Sequence, residues 1–72
     1  MSLDFELSTV EDLAILTLVG RIDRDAGTAL EEAYTAAIAS TPALVELNFD
    51  AVDYINSTGI ALIVSLLARA RA

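Results

Sequence analysis

Phe5-Glu6-Leu7-Ser8-Thr9 alternates apolar and polar residues, and this period of two predicts an edge strand with one buried face. After Glu11-Asp12 the run from Leu13 to Val19 is almost continuously apolar, which predicts a central strand covered on both faces. The short polar link favours pairing the two as an antiparallel hairpin, with Gly20 ending the second strand. Between Asp25 and Ser40, the residues Ala26, Leu30, Ala33, Tyr34, Ala37 and Ile38 share one face at helical spacing, opposite Thr28, Glu31, Glu32 and Thr35. That is the pattern of an amphipathic helix. Asp23 or Asp25 can cap its N-terminus, and Pro42 blocks its continuation. Leu44 to Phe49 reads as a further core strand with Val45, Leu47 and Phe49 on one face, and the intervening helix makes a parallel crossover the natural connection.

From Ser57 onward, Ile60, Leu62, Ile63, Val64, Leu66 and Leu67 occupy about 200° of a helical wheel, twice the width expected for an ordinary surface helix. Only Ala61, Ser65, Ala68, Arg69 and Ala72 form a small or polar stripe. Such a helix needs cover on more than one side, yet Arg69-Ala70-Arg71-Ala72 brings no C-cap signal and no following strand. The expected architecture is therefore a single α/β domain over residues 1–72, ordered β-β-α-β-α. It is a small mixed sheet packed by helices, with the cover for its last helix supplied from beyond Ala72 or by another chain.

Composition narrows the function. A domain of 72 residues holds only a marginal hydrophobic core, and its 56% apolar content argues against disorder. No apolar run approaches the ~18 residues of a membrane span and no signal peptide is visible, so a cytoplasmic protein is expected. The net charge of −7 is unevenly spread. Residues up to Asp53 carry all eleven acids against Arg21 and Arg24, giving −9, while residues 54–72 carry Arg69 and Arg71, giving +2. Four arginines and no lysine provide no basic stripe for nucleic acid. Without histidine, cysteine or lysine the chain lacks the usual general base, nucleophile and Schiff-base former, so no enzyme and no cofactor or metal site is expected. Neither a phosphate-binding loop nor a nucleophile elbow occurs. Asp23, Asp25, Asp50 and Asp53 fit as caps and turn formers.

One segment stands apart. Asp50-Ala51-Val52-Asp53-Tyr54-Ile55-Asn56-Ser57-Thr58-Gly59 joins the end of a core strand to the start of a helix, a junction where α/β folds place ligands and partners. Asn56, Ser57 and Thr58 are each good N-caps, and capping alone accounts for them.

Val19-Gly20-Arg21-Ile22-Asp23, Leu47-Asn48-Phe49-Asp50 and Tyr54-Ile55-Asn56-Ser57-Thr58-Gly59-Ile60 together resemble, in order and spacing, the anti-sigma factor antagonist family of STAS domains. The resemblance implies a bacterial signalling protein of regulated transcription whose partner is an anti-sigma factor and serine protein kinase. Ser57 matches the phosphoacceptor, with Thr58 as the lesser candidate, and Asp23, Asn56, Ser57, Thr58 and Gly59 match the partner-binding rim. Asn56 stands where the family commonly has aspartate, and Arg21 where it often has an acidic or polar residue. The family domain also continues with another strand and helix, so the sequence matches about its first two thirds. A second expectation is a STAS scaffold that is not phosphorylated and self-associates through its apolar last helix or an open sheet edge. A third, nucleotide binding at the helix N-terminus, lacks a nearby lysine.

Overall fold

The computed structural model describes residues 3–70. Its elements run β1 (Leu3–Val10), β2 (Leu13–Ile22), a 3-10 turn (Arg24–Ala26), α1 (Gly27–Ile38), β3 (Leu44–Ile55) and α2 (Ser57–Ala70). Arg71 and Ala72, which the expected last helix includes, lie outside the described residues. The sheet order is β1-β2-β3. β1 pairs with β2 antiparallel and β2 with β3 parallel, the hairpin and crossover that the sequence predicts.

Register decides which side chains are buried. Leu16 lies opposite Leu7 on one side and Leu47 on the other, so one row of β1, β2 and β3 residues points to the same face. Ala14, Leu16, Leu18 and Ile22 are fully buried there, beneath Leu30 and Ala33 of α1 and Leu66 of α2. Both helices cover this face. The expectation that β2 is covered on both faces is therefore corrected. Its other row, Leu13, Ile15, Thr17 and Val19, is only half-buried, shielded by neighbouring strands rather than by a second helical layer. The continuous apolar run reflects the strand's central position.

Two strand boundaries and the burial of Phe49 also differ from expectation. Gly20 does not end β2; it takes a φ of 110°, a conformation open to glycine, and the strand continues to Ile22. β3 extends six residues past Phe49 because its pairing with β2 shifts twice, between Thr17 and Val19 and between Gly20 and Arg21. Extra residues on one strand are how a bulge preserves pairing while changing direction. Asn48 supports the first shift by accepting the Asp50 N–H at 2.8 Å. In this irregular stretch Phe49 is 41% exposed and does not join the core expected from its alternation with Val45 and Leu47.

α2 buries less than its apolar content suggests. Gly59 and Leu66 are buried and Leu62 and Ile63 half-buried, but Ile60, Val64 and Leu67 stay 52%, 58% and 47% exposed. Arg69 secures the helix to α1 through a 2.7 Å contact to Glu31 and a position 5.3 Å from the Tyr34 ring centroid. The Glu31 hydrogen bond raises the Arg69 pKa further above its ordinary value.

Candidate functional site

The turn between β3 and α2 is built from backbone outward. Ile22 at the end of β2 accepts the Asn56 N–H at 3.3 Å, fixing where β3 stops. Asn56 then turns inward and its Oδ1 accepts the Gly59 N–H at 2.9 Å, while its carbonyl accepts the Ile60 N–H at 2.9 Å. Asn56 is therefore the N-cap, the geometry in which a side-chain oxygen satisfies one of the free N–H groups of the first turn. Of the three cap candidates only this one is used.

Gly59 explains why the helix starts so close to the sheet. A Cβ at this position would lie 2.0 Å from the Ile22 carbonyl oxygen and 2.7 Å from its carbon. No other residue type permits that approach. Gly59 is buried, and its lack of a side chain is what lets the first turn of α2 sit against Ile22.

Ser57 and Thr58 are the first two helical residues and both are exposed. Neither hydroxyl makes a hydrogen bond among the described residues. The cap thus falls to Asn56, which leaves the Ser57 oxygen free at the rim.

Asp23 arrives at the same rim from β2. Its Oδ1 accepts the Asp25 N–H at 3.0 Å, which caps the 3-10 turn leading into α1. Its Oδ2 lies 3.6 Å from Arg21 Nε. The Arg21 guanidinium in turn sits 4.2 Å from the centroid of the Tyr54 ring, within cation–π range. Tyr54 faces Arg21 only because β3 carries its second register shift there, so sequence spacing could not reveal this contact. Asp50 and Asp53 are exposed along β3. No group of three or more His, Cys, Asp or Glu side chains is placed to hold a metal among the described residues. A groove of about 420 Å³ lies between α1 and α2, bounded by Glu31 and Arg69, and includes no residue of the Asn56–Gly59 turn.

Residues 4–72 match the STAS domain family. The chain belongs to that family. The fold agrees with solved STAS-like structures: an anti-sigma factor antagonist from Mycobacterium paratuberculosis superposes with a TM-score of 0.78 at 21% identity, over 93% of this chain and 57% of that one. The anti-sigma factor antagonist SpoIIAA in its unphosphorylated form gives 0.59 at 24% identity, over 92% of this chain and 66% of that one. A protein named Mglu gives 0.79 at 27% identity, over 92% of this chain and 16% of that one. The STAS sequence thus spans little more than half the length of the first of these structures. No functionally curated protein matches the chain. No described helix is long and apolar enough to cross a membrane.

Proposed function

We propose that this STAS domain is an anti-sigma factor antagonist-like regulator, acting in the cytoplasm, that binds an anti-sigma factor kinase and is switched by phosphorylation of Ser57. One observation carries the reading: Asn56 performs the capping, so Ser57 is an exposed hydroxyl with no structural duty, at the rim that also holds Asp23. The partner surface comprises Asp23, Asn56, Ser57, Thr58 and Gly59, the last contributing mainly by holding the turn in place.

The chemistry of such a switch is local. A phosphoserine adds about −1.5 to −2 charge and three acceptor oxygens. A partner surface fitted to a neutral hydroxyl then faces a bulky dianion, and desolvating that charge against a partner that brings no matching cation removes several kcal/mol of affinity. The turn itself is held by Ile22, Asn56 and Gly59, none of which changes, so the switch acts on binding without remodelling the fold. Incubation with an anti-sigma kinase and ATP, followed by mass spectrometry, tests the reading. Uptake of one phosphate that disappears in Ser57→Ala is expected, and uptake unchanged by that substitution overturns it.

A second reading rests on a different observation. Ile60, Val64 and Leu67 are exposed on α2, and Leu44 is 65% exposed on β3, whose outer edge has no neighbouring strand among the described residues. A scaffold that self-associates through this side is the alternative. Sedimentation across a range of concentrations separates the two, since a monomer at all of them excludes the scaffold.

A further inference from the structure

We propose that Arg21 and Arg24 form a built-in counter-ion for a phosphate on Ser57, so that the modification is felt at Asp23 as well as at Ser57 itself. This rests on the reading of Ser57 as the phosphoacceptor and names how its charge is received.

Three bases lie among the described residues, and Arg69 is committed to Glu31 near the far end of α2. The other two flank Asp23 on the connection from β2 to α1. Arg21 holds Asp23 at 3.6 Å, and Arg24 reaches Asp25 at only 4.0 Å with both side chains open to solvent, 85% and 77% exposed. The Arg24 pair is loose, the kind worth little in water, whereas Arg21 is half-exposed beside Asp23 and also lies over the Tyr54 ring. The connection is also the part of the fold that meets the Ser57 end of α2. Ile22, between the two arginines, accepts the Asn56 N–H and lies against Gly59, and the 3-10 turn that carries Arg24 packs on α2.

A phosphate on Ser57 enters a rim that already holds the carboxylates of Asp23 and Asp25, with Asp53 near the end of β3. Like charge there opposes a dianion unless a cation is at hand. A guanidinium binds phosphate more strongly than it binds a single exposed carboxylate oxygen at 4 Å, because it offers several N–H donors in one plane to a doubly charged acceptor. Exchange of partner is therefore favoured: Arg24 leaves Asp25 for the phosphate, and Arg21, the more firmly held of the two by Asp23 and the Tyr54 ring, follows by turning from Asp23 toward it. The Oδ2 of Asp23, released from Arg21 while Oδ1 still caps the 3-10 turn, then changes the partner surface one strand away from the modified residue.

The test needs no kinase. Phosphoserine is incorporated at position 57 during translation, and the second phosphate ionisation is followed by phosphorus NMR in the wild-type background and in Arg21→Gln/Arg24→Gln. The wild-type phosphate is expected to titrate about half a unit lower or more, a roughly threefold change in proton affinity, and Arg21→Lys/Arg24→Lys retains part of that shift. Equal titration in all three backgrounds overturns the proposal. Should the glutamine variant not fold, the Nε resonances of Arg21 and Arg24 in the intact chain decide: both move on phosphorylation if the proposal holds, and neither does if it fails. Because the phosphate is installed directly, a kinase that never modifies Ser57 refutes the proposed function without affecting this result.

Discussion

Replacing Gly59 by alanine is the most demanding test of how the candidate site is positioned. The added methyl group would sit 2.0 Å from the Ile22 carbonyl oxygen, where contacts below 3.0 Å are essentially never tolerated, so α2 must withdraw by at least about 1 Å. The obstacle is backbone and cannot rotate aside. Withdrawal also breaks the Asn56 N–H bond to Ile22, which at 3.3 Å has little slack. Overpacking costs about 1–3 kcal/mol and the lost hydrogen bond about 0.5–1.5 kcal/mol, together about 1.5–4.5 kcal/mol. A chain of this length has roughly 4–10 kcal/mol in all, and the expected fall in melting temperature is about 10–30 °C. Gly27→Ala is the matched control. Its Cβ would meet only Leu62 Cδ2 at 4.0 Å, from a helical φ of −54°, so a gain of up to ~1 kcal/mol from helix propensity is expected. Urea and thermal unfolding followed by circular dichroism measure both. A Gly59→Ala protein as stable as wild type would refute the close-approach argument.

Asn56→Ala removes the cap and is expected to cost about 0.5–2 kcal/mol in urea unfolding, whereas Asn56→Asp keeps the acceptor, adds a favourable charge at the helix N-terminus and is expected to match or exceed wild type by about 0.3–1 kcal/mol. Thr41 follows α1 with a φ of 49°, a strained conformation for a β-branched side chain, so Thr41→Gly is expected to stabilise by about 0.5–1 kcal/mol; a loss of stability would show that the strain is not there. For Glu31 and Arg69, a double-mutant cycle with alanine is expected to give a coupling of about 0.2–1 kcal/mol that shrinks in high salt, and a coupling of zero at low salt would show that the pair does not fasten α1 to α2. Ser57→Ala is expected to leave the free energy of urea unfolding within about 0.5 kcal/mol of wild type, because its hydroxyl has no hydrogen-bond partner among the described residues.

Period and punctuation carried the element order, since the alternation at Phe5–Thr9, the helical spacing from Ala26 to Ile38 and the break at Pro42 each act within a few residues. Family membership was likewise legible in the Asn56–Gly59 turn and its distance from Asp23. What eluded the sequence depends on cross-strand register. Two shifts between β2 and β3 carry the last strand past Phe49, expose that phenylalanine and bring Tyr54 opposite Arg21. No property of Phe49 or Tyr54 alone announces a bulge. The choice of cap was hidden for a different reason: Asn56, Ser57 and Thr58 have similar intrinsic preferences, and only the Asn56 N–H bond to Ile22 sets which residue stands last outside the helix.

That choice also bears on the place where this chain departs from its family. A carboxylate before the phosphoacceptor has two separable roles: it can cap the helix, and it can set negative charge beside the reactive hydroxyl. Asn56 performs the first through Oδ1 at 2.9 Å from the Gly59 nitrogen and cannot perform the second. The turn is therefore intact while it carries one negative charge fewer. A phosphate at Ser57 meets less repulsion from its immediate neighbour than it would beside aspartate, and Arg21, the other departure, adds a cation on the adjacent strand. Both substitutions shift the rim in the same electrostatic direction, toward accepting negative charge. Asn56→Asp and Arg21→Gln should accordingly act alike on a phosphorylated Ser57, each raising the second phosphate pKa, while differing in the unmodified protein, where the first adds to helix stability and the second removes only a partly exposed pair with Asp23 and Tyr54.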